Sequence, residues 1–472
     1  MQTARHHDST AARKGRQRAS VLVVVMWISF GLVAIALYFA ESMTYELRAS
    51  DNRVAGEEAE EVIEGARRYL TCVLSNLNQP GVMPDPQSYL KEGVPVGTGK
   101  FWIIGRTNVE NQLNLKTPTF GLIDEASKLN LNSSFLTTNF AMLPRMTADL
   151  ANNILTWRTT NTGVAAGGAD SSTYMSMQPP YLCKAAPFET VDELRLVYNL
   201  NIDILYGEDA NMNGILDANE NDGDALPPSD NMDGRLDAGL FEYVTIYTHE
   251  PTTQSNGQAR VNLTTAATLA TQLATLLQGV LGDSRASQIL LQAGLAPTGQ
   301  QGQRGPPGGG NTVTITSPLH LFMVSGMTPA EFNQVEGSVM GANTKGLINV
   351  NTASSIVLSC LPGMDIAKAE QLVSYRQSNQ SNQDYRNSVC WVSQVLDPAT
   401  CLAVGPYITG RTYQFMADIV AVGHGDRGYR RTRFVFDTSS GTPIIVYRQD
   451  LTHLGWALGK LDTKPNSLFT AK

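Results

Sequence analysis

The clearest chemistry in the chain lies in the stretch that begins at Asp209 and ends at Glu220, reading DANMNGILDANE. Asp209, Asn211, Asn213, Asp217 and Glu220 put oxygen side chains at positions 1, 3, 5, 9 and 12 of a loop. Gly214 stands at position 6, and Ile215 at position 7 offers its carbonyl. Calcium takes about six to eight hard oxygen ligands, and this spacing lets a turning backbone aim alternate side chains inward while Glu220 closes the site with both oxygens. Magnesium suits the loop less well, because it favours a smaller octahedral site that retains several waters. A second copy follows, with Asn231, Asp233, the Arg235 carbonyl and Asp237 in ligand positions. Its first position is Ser229 and its twelfth is Leu240, so it lacks the closing acid. Asp222, Asp224, Asp230 and Glu242 are near enough in sequence to substitute. One Ca2+ site is expected at the first loop and a weaker one at the second. The alternative for each is a surface loop rich in Asp, Asn and Gly.

Other chemistries find little support. His249-Glu250 opens like a zinc-protease HExxH motif, but Pro251 follows and Thr253 stands where the second histidine belongs. The remaining histidines are scattered, and neither a GxSxG nor a phosphate-binding loop is present, so no catalytic constellation is read and the chain is expected not to be an enzyme. A net charge of -8 gives no electrostatic reason to expect nucleic acid as a partner. The five cysteines form no CxxC pair. Cys390 and Cys401 are the nearest in sequence and are the candidates for a disulfide; otherwise these thiols are small buried apolar groups.

The elements that must carry these loops begin at the N-terminus. Val21 to Ala40 contains no charge and no proline, enough helix at about 1.5 Å per residue to cross roughly 30 Å of hydrocarbon. A cleaved signal peptide would have a shorter apolar region, about 7 to 15 residues. Arg5, Arg13, Lys14, Arg16 and Arg18 precede the run and Glu41, Glu46, Asp51, Glu57 and Glu58 follow it, which predicts a cytoplasmic N-terminus and an exported remainder. Ala55, Ala59, Val62, Ala66, Tyr69 and Val73 then recur at helical spacing with charge on the other face, so one helix is predicted over residues 20–75.

A loop is expected from Pro80 to Gly99. Strands are expected at 101–105 and 119–124 and, by alternation, around 413–419, 430–436 and 444–447. Together they make a small antiparallel sheet against the first helix, in an α+β fold. A further strand is read at 243–248. Between the two groups of strands, residues 126–404 carry an internal repeat. Asn130-Leu-Asn132 precedes Leu143-Pro-Arg-Met146 and Trp157-Arg158, just as Asn349-Val-Asn351 precedes Leu361-Pro-Gly-Met364 and Tyr375-Arg376. A degraded copy spans 262–290. Each unit reads as helix, tight turn and helix, a helix-hairpin-helix or SAM-like pattern; the hairpin position that takes a second glycine in DNA-binding versions holds Thr147 or Asp365. The metal loops occupy 207–242, between the first two units. The stretch near 299–310, with glycine at every third residue for a few steps, reads as a linker.

A basic leader, an apolar half-helix and an amphipathic half resemble the type IV pilin-like proteins. That resemblance places prepilin-peptidase cleavage between Ala19 and Ser20, making 1–19 a leader, with Ala19 where the family usually has glycine and Val24 where most members carry a glutamate that pairs with the subunit ahead. With the helical insert, the carboxylate-rich loop and the stretches at 124–132, 187–194, 346–353 and 412–423, the chain resembles the GspK family, the large minor pseudopilins of bacterial type II secretion systems. The resemblance implies a pilin-like head built from 76–125 and 405–472, and calcium in the insert. It also implies a place at the tip of a periplasmic pseudopilus with the minor pseudopilins GspI and GspJ, where the group initiates assembly in the inner membrane above further subunits. An exported helix-hairpin-helix module that binds DNA in a pilus-like or competence-like system is the competing reading.

Overall fold

The structure is a computed structural model that describes residues 11–106, 118–133, 138–159, 167–226, 228–295 and 314–459. The first ten residues and the glycine-rich stretch at 299–310 lie outside them, and the Ala19/Ser20 junction falls in a helix whose side chains there are likewise not described.

Helix α1 runs Ala11–Ser75. Its apolar first half, from Val21, is fully exposed, and it is the one helix among the described residues that is long and apolar enough to cross a membrane. Its second half buries Ala55, Ala59, Val62, Ile63, Ala66, Leu70 and Leu74, all at 3% exposure or less. Tyr69 and Val73, expected in this stripe, sit at its margin while Leu70 and Leu74 take the core. A helix turns 3.6 residues per turn, so the stripe drifts by one position over this length.

The strands are, in chain order, β1 Val94–Val96, β2 Gly99–Ile104, β3 Ile123–Asp124, β4 Leu129–Asn130, β5 Val244–Thr245 and β6 Val261–Asn262. They continue with β7 Val339–Met340, β8 Ile348–Asn349, β9 Ile408–Thr409, β10 Gln414–Val422, β11 Arg430–Asp437 and β12 Ile444–Asp450. Six of these form one sheet in the order β1-β2-β10-β11-β12, with β3 also on β10, and every pairing is antiparallel. The segment 80–99, expected as a loop, contains β1 and a helical turn Pro86–Tyr89. Strand β10 is buried along its whole length. Phe415, Ala417, Ile419 and Ala421 point to α1, with Phe101, Ile103, Phe434 and Phe436 beside them. Gly428 lies so close to α1 that a Cβ there would stand 2.2 Å from the main-chain carbon of Ala55, and its φ is +68°. Only glycine accepts both conditions.

The insert has its own core, running from Leu129 to Ile408. It is a series of three units, each closed by a two-residue parallel ribbon: β4 with β5, β6 with β7 and β8 with β9. The Asn-x-Asn signature explains the opening strand of the first and third ribbons, and Asn262-Leu-Thr264 takes its place in the second, where Asn262 Oδ1 accepts the amide of Thr264 at 2.9 Å. Asn130 Oδ1 accepts the amide of Asn132 at 2.8 Å, and Asn349 Oδ1 that of Asn351 at 3.0 Å, which turns the chain out of the strand. Arg158 donates to the carbonyls of Leu131 and Ser133, and Arg376 to those of Val350 and Ala353 at 2.9 and 2.8 Å, so both arginines tie a helix end to the turn after its ribbon. The strand expected at 243–248 shrinks to β5, because its partner β4 is two residues long. The last ribbon closes at Ile408–Thr409, beyond the residue 404 expected as the end of the insert.

Cys390 and Cys401 do not form the expected disulfide; all five cysteines are free. Cys390 begins a 3-10 turn and directs its thiol to the carbonyl of Asp384, while Cys401 sits in the helix Pro398–Val404 and directs its own to Leu396. Burial pushes both thiols up to about 11, which leaves them protonated and unreactive.

Candidate metal centre

The first loop closes on itself as its spacing requires. Met212 and Gly214 adopt positive φ of 53° and 72°, the sharp turn for which Gly214 is needed. Asp209 accepts the amides of Asn213 and Gly214 at 2.8 and 2.9 Å, Asn213 Oδ1 accepts that of Ile215 at 2.8 Å, and Glu220 Oε2 accepts that of Asp217 at 3.0 Å. The amides of Asn211 and Asn213 both donate to Asp217 Oδ2, at 2.8 and 3.0 Å, so three ligand positions meet at one carboxylate oxygen. A half-turn of either amide exchanges its nitrogen for its oxygen. Asp209, Asn213, Ile215 and Glu220 are all buried.

The electrostatics ask for a cation. Burial, and then the neighbouring charge of Asp209, push the Glu220 carboxyl up to about 8. Burial also raises Asp209, against the pull of Arg106. Buried carboxylates facing one another are stable as anions only with a positive partner. Among the described residues no three His, Cys, Asp or Glu side chains form a ready-made metal cluster. The loop's oxygens are the carboxylates of Asp209, Asp217 and Glu220 with the amides of Asn211 and Asn213, all donors of the hard kind.

The second loop repeats the backbone, with Met232 and Gly234 at φ 56° and 74°. Asn231 Oδ1 accepts the amide of Asp233 at 2.9 Å and Asp233 Oδ1 that of Arg235 at 2.8 Å, and Asn231, Asp233 and Arg235 are exposed. Two of the acids named as substitutes for its missing closing residue are engaged elsewhere. Asp230 accepts the amides of Asp222 and Gly223, and Glu242 pairs with Arg106 at 3.0 Å. The acid beside this loop is Glu208, which sequence reasoning passed over because it precedes the first loop. It is 1% exposed and accepts the amide of Asp237 at 3.0 Å. Arg145, from the hairpin of the first unit, meets Asp237 at 2.7 Å and Glu208 at 3.9 Å.

Two further arginines dock the first loop on the outer face of the sheet. Arg431 donates to the carbonyls of Asn211 and Met212, both at 2.6 Å, and Arg106 to that of Met212 at 2.6 Å. Arg431 is held by Asp418 at 2.8 and 2.7 Å, with both side chains fully buried. Burial opposes ionisation of Asp418, yet Arg431 and Arg433 keep its carboxyl well below the usual range. The available signal was an acid on β10 opposite an arginine-rich β11, the Cα register pairing Asp418 with Arg433.

The insert is fastened to the head by a second carboxylate, Asp124 on β3. It accepts from Asn349 at 2.8 Å, Thr352 at 2.5 Å and Thr412, and burial pushes it up to about 6 in spite of these bonds.

At the hairpins, Thr147 and Asp365 are the N-caps of the helices Ala148–Arg158 and Ile366–Ser378. Thr147 Oγ1 accepts the amide of Leu150 at 3.2 Å and Asp365 Oδ1 that of Lys368 at 2.8 Å. These hairpins therefore spend amides on their own caps, and Asp365 sets a carboxylate where a DNA phosphate would have to approach.

Helix, sheet and insert together define a long helix, apolar enough in its first half to cross a membrane and continuous with an α+β head that carries a helical insert between strands of its sheet. Residues 127–206, which include the first unit and end just before the metal loops, match the family model described as Type II secretion system (T2SS), protein K. The likeness to GspK, the minor pseudopilin read from the sequence, is supported by that match. No curated protein sequence matches the chain. Among solved structures, a chain of the GspK-GspI-GspJ complex of the type 2 secretion system from enterotoxigenic Escherichia coli is similar at 10% identity, over 86% of this chain and 98% of that one, with a TM-score of 0.37. The sequence match, and not this slight geometric likeness, carries the relationship.

Proposed function

We propose that this chain is a minor pseudopilin of a type II secretion system that sits at the pseudopilus tip and starts its assembly. The observation that carries the reading is the match of residues 127–206 to protein K, in a chain whose N-terminal helix passes from a membrane-length apolar run into the core of the head. In this reading residues 1–19 are a cytoplasmic leader removed by prepilin peptidase between Ala19 and Ser20, Val21–Ala40 crosses the inner membrane once, and the head and insert stand in the periplasm. The apolar Val24 leaves no carboxylate to pair with a subunit ahead, which suits a subunit beneath which others attach. The GspI and GspJ proteins of the same system are its partners, and its role is structural.

Asp209, Asn211, Asn213, the Ile215 carbonyl, Asp217 and Glu220 would hold calcium, which supplies the charge that the buried Asp209 and Glu220 require. The second loop, through Asn231, Asp233, the Arg235 carbonyl and Asp237, would take a further ion more weakly, since Asp237 already has Arg145 as counter-charge. Arg106 and Arg431 join the loop to the head, so an ordered loop orders the insert against the sheet.

The test is co-expression of the full chain with the I and J minor pseudopilins of the same gene cluster, followed by purification in detergent. A 1:1:1 complex is expected. Recovery of this chain alone, with I and J soluble and folded, would overturn the reading.

A further inference from the structure

The third unit carries a cleft of about 430 Å³ that none of the foregoing uses. One wall is Tyr89 of the head, and the rest belongs to the unit, including Tyr375, Tyr385, Asn379, Arg376 and Arg386. Its volume lies within the range of about 300–1,000 Å³ common to small-molecule sites. The lining contains neither a carboxylate nor an aliphatic side chain. Its large apolar groups are aromatic rings, and its polar groups are amides, phenols, an indole and two guanidinium groups.

The aromatic platform is built from behind. Tyr375 stacks on Trp391 with centroids 5.9 Å apart and planes 11° from parallel, and Tyr385 stands 6.3 Å from Tyr375. Trp391 is 2% exposed and donates its indole N–H to Asn351 at 3.1 Å. Asn379 anchors its amide on the Tyr375 carbonyl at 2.9 Å, and Arg376 is tied down by the carbonyls of Val350 and Ala353. Arg386 is exposed and reaches only the Gln380 carbonyl, at 3.4 Å, among the hydrogen bonds of the described residues.

The first unit shows that this opening is not shared by every copy of the repeat. There Trp157 takes the place of Tyr375, and the chain covers it with its own Tyr174 and Tyr181, whose centroids lie 5.3 and 6.4 Å away, leaving Trp157 3% exposed.

We propose that the third unit's cleft binds a short anionic saccharide, about the size of a disaccharide and carrying a carboxylate. The flat C–H face of a sugar ring packs on a tyrosine ring. Primary amides both donate and accept, as paired hydroxyls require. A guanidinium reads a carboxylate through two parallel hydrogen bonds, and Arg386 has the freedom to do so. The lack of aliphatic lining disfavours a lipid or an aliphatic peptide, and although the charge of Asp384 reaches Tyr385 from outside the lining, the lining itself holds two guanidinium groups and no acid, which favours an anion.

The experiment is saturation-transfer-difference NMR on the full chain in a sugar-free detergent, with digalacturonate, its neutral counterpart galactobiose and adenosine monophosphate as probes. Saturable transfer to digalacturonate at millimolar concentration is expected, with galactobiose weaker by about tenfold, the worth of one charge-assisted hydrogen bond. Arg386→Glu, at an exposed position, should abolish the preference for the acidic sugar without changing the melting temperature. Tyr375→Phe, which keeps the stack on Trp391, should retain binding, and Tyr385→Ala should lower it. Absence of saturable transfer, equal binding of both sugars, indifference to Arg386→Glu, or binding of the nucleotide alone would each overturn the proposal.

Discussion

Arg431 on β11 donates through Nη2 to the main-chain oxygen of Met212, 2.6 Å away and 219 positions earlier in the chain. The same guanidinium grips Asp418 with two more hydrogen bonds at zero exposure, so one side chain joins the metal loop to the centre of the head sheet. Arg431→Met should therefore do two things. It takes from Asp418 its bidentate partner and leaves only Arg433 and the charge of Arg106 to offset burial, costing about 3 kcal/mol or more in denaturant unfolding, and it frees the Asn211 carbonyl while Arg106 keeps that of Met212, making the loop more open to limited proteolysis. An unchanged unfolding midpoint would contradict the assigned role.

Calcium should bind the first loop through its carboxylates. In titration calorimetry, Asp209→Ala combined with Asp217→Ala is expected to weaken the tighter site by more than about a hundredfold, because two of its anionic ligands are gone. Chelation of the unmutated protein should expose 207–242 to protease, since an ion that binds only the folded loop stabilises it by mass action. Calorimetry identical to that of the parent protein would mean that the ion sits elsewhere.

The foot of the head carries a histidine latch. His424, at the turn between β10 and β11, meets Glu58 at 2.7 Å and Asp51 at 3.0 Å, both on α1, with Arg427 also on Asp51 and Lys100 on Asp426. The hydrogen bond to Glu58, then that to Asp51, raise the pKa of His424. A raised histidine contributes stability that is complete below about pH 6.5, its unfolded value, and that disappears as pH climbs through the folded one. Glu58, pulled down to about 2 chiefly by Thr98 and next by His424, contributes above its unfolded value and loses this only in strong acid. Melting temperature should thus fall as pH rises from about 6.5 through the raised folded value of His424, and His424→Ala should flatten that slope. A slope that survives the substitution would assign it to other groups.

The drift of the α1 stripe can be measured directly. Leu70→Ala, at 0% exposure among aromatic residues of the sheet, should cost about 2–5 kcal/mol. Val73→Ala, at the margin, should cost less than about 1 kcal/mol. The opposite order would restore the register read from the sequence.

The legible parts of this chain were those with a period or a fixed spacing. The alternation through Phe415, Ala417 and Ile419 located β10, and the spacing of 209–220 located a loop that turns at Gly214 and gathers Asn211 and Asn213 on Asp217. The parallel ribbons were not legible, because a strand of two residues has no period and Leu129 finds its partner Val244 more than a hundred positions away. Asp418 and Arg431 were hidden for a different reason. A charge on a strand reads as a solvent-facing position, and only the docking of the insert turns that face of the sheet into an interior. Glu208 lay one residue outside a motif that was otherwise complete. The Cys390–Cys401 pairing failed because nearness in sequence does not direct two thiols toward each other.

The insert leaves the head after β3 and returns at β10, and these strands are neighbours, with Asp124 opposite Phe415 and Ile123 opposite Met416. A pull applied along α1 therefore passes through the sheet by shearing β10 against β2 and β11. The insert hangs from a closed base as a side branch, yet the Asp418–Arg431 pair bridges β10 and β11 and grips the Asn211–Met212 peptide, so that shear reaches the first loop through a single guanidinium.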